Sequence, residues 1–105
     1  MQNHMQKTLK ETIEFEGVGL HNGKRVNLLL KPAEVNSGIK FKRTDVDNNK
    51  NIIEANYKNV STSVLCTKII NSHGVTVSTI EHLMAAFYLE GIDNVLVEID
   101  APEVP

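Results

Sequence analysis

A single cysteine, Cys66, in 105 residues rules out an internal disulfide. The chain shows no charged and apolar leader ending in a small-residue cleavage site, so a reducing cytoplasm is the expected location. Long apolar runs are missing too. The best candidates, Val26 to Leu30 and Leu83 to Leu89, fall well short of the roughly 20 residues a membrane helix needs, and no membrane span is expected. Charge of one sign is not in excess: the formal net charge is -2 with both signs mixed along the chain, which gives no field to hold nucleic acid or an anionic membrane. Repeats and low-complexity segments are absent as well. What remains, 41% apolar and 23% charged, is the composition of an ordinary globular protein, and residues 1–105 suffice for one domain with one core. Met1-Gln2-Asn3-His4 precedes a second Met5-Gln6, so residues 1–4 read equally as native or as an extension ahead of a start at Met5.

Period-two patterning marks strands at Thr8 to Phe15 and Arg25 to Leu30, joined by Gly17-Val18-Gly19-Leu20-His21-Asn22-Gly23. Asn22-Gly23 is a type I′ hairpin signal, because both turn residues need positive φ. Pro32 stops the second strand. Gly38-Ile39-Lys40-Phe41-Lys42-Arg43 alternates apolar with basic residues, Val64 to Ile70 and Val75 to Val77 flank the turn Asn71-Ser72-His73-Gly74, and Asn94 to Ile99 alternates again. The runs Ile52-Ile53 and Tyr57 to Val60 are shorter strand candidates. One segment has a different period: Ile80, Leu83, Met84 and Phe87 make the i, i+3, i+4, i+7 stripe of a helix that ends at Gly91. Ser78 with Glu81 three residues later predicts a capping box, with Thr79 as the competing N-cap. The expected fold class is α+β, one mixed or antiparallel sheet with a helix packed on one face.

At about 100° per residue, His82 falls about 200° from Ile80, away from the core stripe, between Ala85 and Ala86. That second face is small and apolar, so it should pack against something. Two readings of Glu81-His82 stand on the residues alone. Glu81 is a cap and His82 a hydrogen-bonded structural imidazole; or the pair serves metal-assisted hydrolysis, His82 holding the ion and Glu81 taking a proton from the attacking water. No second His lies four residues away, so the pair cannot complete a metal site by itself.

Other constellations carry less. His21, Cys66, His73 and His82 are ligand types without the short spacing of a zinc knuckle. Asp45-Val46-Asp47-Asn48-Asn49 opens like a calcium loop but has Lys50 where Gly is wanted and Asn56 where Glu is wanted, so it reads as a turn. Gly17-Val18-Gly19 lacks a third glycine and opens no helix, which leaves a phosphate loop unsupported. Lys40, Lys42 and Arg43 read as a solvated strand face, and Cys66 as a small hydrophobe in a strand.

Several of these motifs, taken in order, carry a resemblance. Gly17 to Gly23, Lys31-Pro32-Ala33, Leu65-Cys66-Thr67, Ser78 to Ala86, and Gly91-Ile92-Asp93-Asn94 running to Glu98 and on to Pro105 together resemble the N-terminal half of the UDP-3-O-acyl-N-acetylglucosamine deacetylase family, zinc amidases of lipid A biosynthesis. The resemblance covers nearly the whole chain. It implies half of a two-domain sandwich in which helices lie between two sheets, which would account for a helix with two apolar faces. It implies further that His82 is a zinc (Zn2+) ligand, that Glu81 is the general base, and that His21, Leu65 and Cys66 line the substrate site. In that family the other zinc ligands come from a His-x-x-x-Asp segment of a second domain, which this sequence does not contain. The chain is therefore expected to be an N-terminal domain truncated at its C-terminal end, to require a missing C-terminal domain as partner, and to be inactive alone. The rival expectation is a non-enzymatic α+β binding domain that keeps the fold and pairs through its helix face.

Overall fold

In the computed structural model, which describes residues 5–19, 21, 23–56, 58–62 and 66–105, the alternation in the sequence organises a mixed sheet of five strands. These are β1 (Ile13–Val18), β2 (Arg25–Pro32), β3 (Ile39–Arg43), β4 (Ile52–Glu54) and, after a second sheet and a helix, β8 (Val95–Ile99). Their spatial order is β1-β2-β8-β3-β4, so the last strand in sequence is the middle one in space. β8 runs antiparallel to β2 and parallel to β3. Registers align Ile13, Leu30, Val97, Phe41 and Ile53 as one row across all five strands. Leu30, Val97, Phe41 and Ile53 in that row are buried, whereas Ile13 on the edge strand is 39% exposed. Because side chains alternate across a strand, a one-residue slip would turn this row to solvent, so the pattern itself selects the register. The opposite face carries the Lys31–Glu98 ion pair.

A second, three-stranded antiparallel sheet stands where the sequence suggested only one: β5 (Val60–Thr62), β6 (Thr67–Ile70) and β7 (Thr76–Ser78). The Asn71 side chain shapes its β6–β7 turn, accepting the backbone N–H groups of His73 and Val75 while its amide donates to Lys50 O and Ile52 O. Ile69 and Val77 point from this sheet into the common core, where Phe87 and Ile80 join the buried face of the larger sheet.

The helix α1 (Glu81–Leu89) lies on that core through the stripe expected for it, with Phe87 buried and Leu83 and Met84 packed against the cluster. Its end is a Schellman motif: Ile92 N–H donates to Phe87 O and Gly91 N–H to Tyr88 O, with Gly91 at φ 69. Its start differs from the predicted capping box. The N-cap position is Ile80, and no side chain caps it. Ser78 belongs to β7 and donates its hydroxyl to Pro102 O, so it is not free to cap the helix. The second face is open in this chain: Ala85, Ala86, Tyr88 and Leu89 are exposed. A single helix over one core layer can bury only one stripe.

The first strand starts at Ile13, five residues later than Thr8. Backbone groups that would have entered the ladder are used elsewhere. Lys7 O accepts from Asp93 and Asn94, Lys7 N–H donates to the Asp93 carboxylate, and the Thr8 hydroxyl bridges Asn94 O and Ala33 N–H. The β1–β2 hairpin is closed by Gly19 N–H to Lys24 O and Gly23 N–H to Gly19 O, with Gly23 at φ 69. Asn22, the other half of the predicted turn, lies outside the described residues.

Candidate active site

Residues 101–105 bring the site together. After β8 the chain runs beside β7, with Ser78 N–H donating to Pro102 O at 2.8 Å and Val104 N–H to Ser78 O at 3.0 Å. Glu103 pairs with Ser78 in a parallel bridge. Further on, Pro105 crosses Gly17 so closely that a Cβ there would sit 2.6 Å from Pro105 Cβ. Glycine is the residue that permits this approach.

This crossing buries the Glu103 carboxylate, whose side chain is 3% exposed, between the β1–β2 hairpin and the start of α1. Oε1 accepts the His21 backbone N–H at 2.9 Å, Oε2 meets His21 Nδ1, and Oε2 also accepts the Thr79 hydroxyl at 3.0 Å. Thr79 itself is buried at φ 61, a left-handed conformation that a β-branched residue adopts only under constraint. In the sequence Thr79 stands out only as a competing cap, and Glu103 only as part of the segment running to Pro105. Glu103 did carry a signal: it is an acid set among Ala101, Pro102, Val104 and Pro105, a segment otherwise without polar side chains.

Two residues past Thr79, the Glu81 carboxylate turns toward β6. Its Oε1 accepts Thr67 N–H at 3.2 Å, while Thr67 O accepts Ile80 N–H at 3.2 Å. The helix start is thereby tied to the residue after Cys66, a half-buried cysteine. Leu65 lies outside the described residues. His82 is exposed and has no hydrogen-bond partner among the described residues. Its ring lines a cavity of about 400 Å³ with Thr79, Glu16, Phe15, Leu28, Leu83 and Val104, so an imidazole, a hydroxyl and a carboxylate stand in a mostly apolar wall. Small-molecule sites have this character. Four of the five residues proposed from sequence thus gather around residues 79–82: His21 through Glu103 and Thr79, Cys66 through Thr67, and Glu81 and His82 on the helix itself. Among the described residues no group of three His, Cys, Asp or Glu side chains is placed to hold a metal ion.

The fold and site define an α+β domain that presents an unpartnered imidazole and a tethered carboxylate from the first turn of one helix, beside an apolar cavity. The family described as UDP-3-O-acyl N-acetylglycosamine deacetylase matches residues 6–105, and the chain belongs to that family. It is 50% identical over 100 residues to the UDP-3-O-acyl-N-acetylglucosamine deacetylase of Vibrio atlanticus (strain LGP32), a match covering 95% of this chain and 32% of that relative. Proteins of the same name from Sodalis glossinidius (strain morsitans), at 49%, and Vibrio parahaemolyticus serotype O3:K6, at 50%, match with the same coverage. The chain spans about a third of the length of these curated relatives.

Proposed function

We propose that the chain is the N-terminal part of a cytoplasmic zinc-dependent deacetylase that hydrolyses the N-acetyl group of UDP-3-O-(3-hydroxyacyl)-N-acetylglucosamine to the amine and acetate, in lipid A biosynthesis. The observation that carries this reading is the exposed, unpartnered His82 at the wall of the apolar cavity, in a chain that belongs to the family over residues 6–105. A neutral imidazole free of protein hydrogen bonds suits a metal ligand, and the residues present fit one ligand position. The remaining ligands are assigned to a second domain, packed on the open face of α1 at Ala85, Ala86 and Leu89. No helix is long and apolar enough to cross a membrane among the described residues.

Zinc, when bound, would supply Lewis-acid activation of water and of the amide carbonyl. Glu81 is the base. Its Oε1 is held by Thr67 N–H, which fixes the carboxylate plane and leaves Oε2 to take the proton of the attacking water. His21 and Cys66, with Leu65, are assigned to substrate contact, and the apolar cavity shields the reacting amide from bulk solvent.

The test is made on the full-length enzyme. His82→Ala is expected to abolish stoichiometric zinc, whereas Glu81→Gln is expected to keep zinc and lower kcat by roughly 10²- to 10⁴-fold. Full zinc content in His82→Ala, or unaltered turnover in Glu81→Gln, overturns the assignment.

A further inference from the structure

The buried carboxylate of Glu103 has no part in the chemistry assigned to Glu81 and His82, yet it is the most heavily engaged acid at the site. Burial of a carboxylate is expensive unless hydrogen bonds replace its water. Among its partners here are the His21 backbone N–H, the His21 ring and the Thr79 hydroxyl. Thr79 makes its bond from a left-handed φ of 61, and Glu103 lies between Pro102 and Val104, which both pair with Ser78. Strain and strand pairing converge on one carboxylate, the kind of over-determined arrangement that accompanies functional sites.

The carboxylate grips His21 twice, at the backbone N–H with Oε1 and at Nδ1 with Oε2. An ionised carboxylate only accepts hydrogen bonds, so opposite an ionised Glu103 it is Nδ1 that carries the proton, and in the neutral ring Nε2 is then the nitrogen with a free lone pair. An unrestrained histidine in water favours neither fixed ring orientation nor this tautomer. The ring is 39% exposed, so the edge away from Glu103 remains open, while Thr79 links the pair to the cavity wall that it shares with His82.

We propose that Glu103 is a positioning residue: through Nδ1 it locks His21 in the Nδ1–H tautomer and a single ring orientation, presenting Nε2 as the second imidazole nitrogen of the site alongside His82. This rests on the deacetylase reading for its consequence, though not for its geometry. Carboxylate partners set the tautomer of functional histidines in the same way at metal and hydrolase centres.

Long-range ¹H–¹⁵N correlation of the ¹⁵N-histidine-labelled 105-residue chain reads the tautomer directly and needs no variant. In the neutral ring, His21 is expected to show a protonated Nδ1 and an unprotonated Nε2, while exposed His73 shows the mixture of a free ring. A His21 pattern like that of His73, or one dominated by Nε2–H, overturns the proposal. Glu103→Gln keeps the side-chain shape and is expected to move His21 toward the His73 pattern, with folding checked by the dispersed amide spectrum. In the full-length enzyme, Glu103→Gln is expected to lower kcat/KM at least tenfold, and His21→Ala with Glu103→Gln to be no worse than His21→Ala alone, since one residue acts through the other. Losses that multiply in the double variant overturn the positioning role. An inactive parent enzyme with the Nδ1–H tautomer intact would instead overturn the deacetylase reading and leave the Glu103–His21 geometry standing.

Discussion

Thr79 concentrates the local energetics of the site. Its φ of 61 costs about 1–2 kcal/mol for a residue with a Cβ, and the compensating bond is its hydroxyl to the buried Glu103 carboxylate. Thr79→Ala keeps the strain and removes the bond, so it should destabilise the chain by about 1.5–3 kcal/mol in urea unfolding. Thr79→Gly also loses the bond but sheds the strain, and is expected to be no less stable than Thr79→Ala; a clearly lower Gly variant would refute the strain account. A second residue-scale pair is Arg43–Asp45. The Arg43 guanidinium hydrogen-bonds the Asp45 carboxylate and holds it below the usual carboxylate range, its charge adding to the effect while partial burial opposes it. A depressed folded pKa means that the contribution is present above the unfolded value and is lost as pH falls through the folded one. Asp45 is largely solvated, so solvent screening limits the effect to under about 1 kcal/mol. Asp45→Asn should therefore be slightly less stable than the parent at pH 7, with the two converging in acid as pH falls below the lowered range of the Asp45 carboxyl. Parallel unfolding curves at both pH values check the sign.

At the scale of elements, α1 shows which end signals were self-sufficient. Gly91 closes the helix with backbone bonds alone, so its role follows from the local preference of glycine for positive φ. No steric barrier surrounds it, the nearest atom to an added Cβ being Lys7 Cδ at 3.9 Å. Gly91→Ala is accordingly expected to cost about 1 kcal/mol from backbone strain alone, measured as a lowered midpoint with unchanged m-value. A neutral substitution would mean that the turn re-forms without a left-handed residue. The start of the helix depends on distant groups. Ser78 and Glu81 have capping-box spacing, but Pro102 O takes the Ser78 hydroxyl and Thr67 N–H takes the Glu81 carboxylate. A local signal lost to tertiary partners, and Glu81 ends as a carboxylate tethered to Thr67 N–H instead of a cap.

Over the whole molecule, one face of α1 is left open, with Tyr88 85% and Leu89 81% exposed next to Ala85 and Ala86. Contiguous apolar surface of this kind drives association. The isolated 105-residue chain is expected to self-associate with rising concentration, and Leu89→Lys to reduce that tendency. Light scattering that finds a clean monomer at high concentration would count against this face as a covered surface.

The α+β class, the buried residues Leu30, Val97 and Phe41 and the helical stripe were legible because each depends on periods of two or 3.6 within one short segment. The roles proposed for Glu81, His82, His21, Leu65 and Cys66 rest on the family resemblance, since no local pattern carries them. Tertiary structure decided the rest: β8 as the central strand, the separate small sheet, the later start of β1, and the joining of Glu103 to His21 and Thr79 across 82 and 24 positions of sequence. Sequence periodicity states which side chains must leave water. It does not state which distant backbone or carboxylate will meet a given donor, because that depends on how strands far apart in the chain are ordered in space.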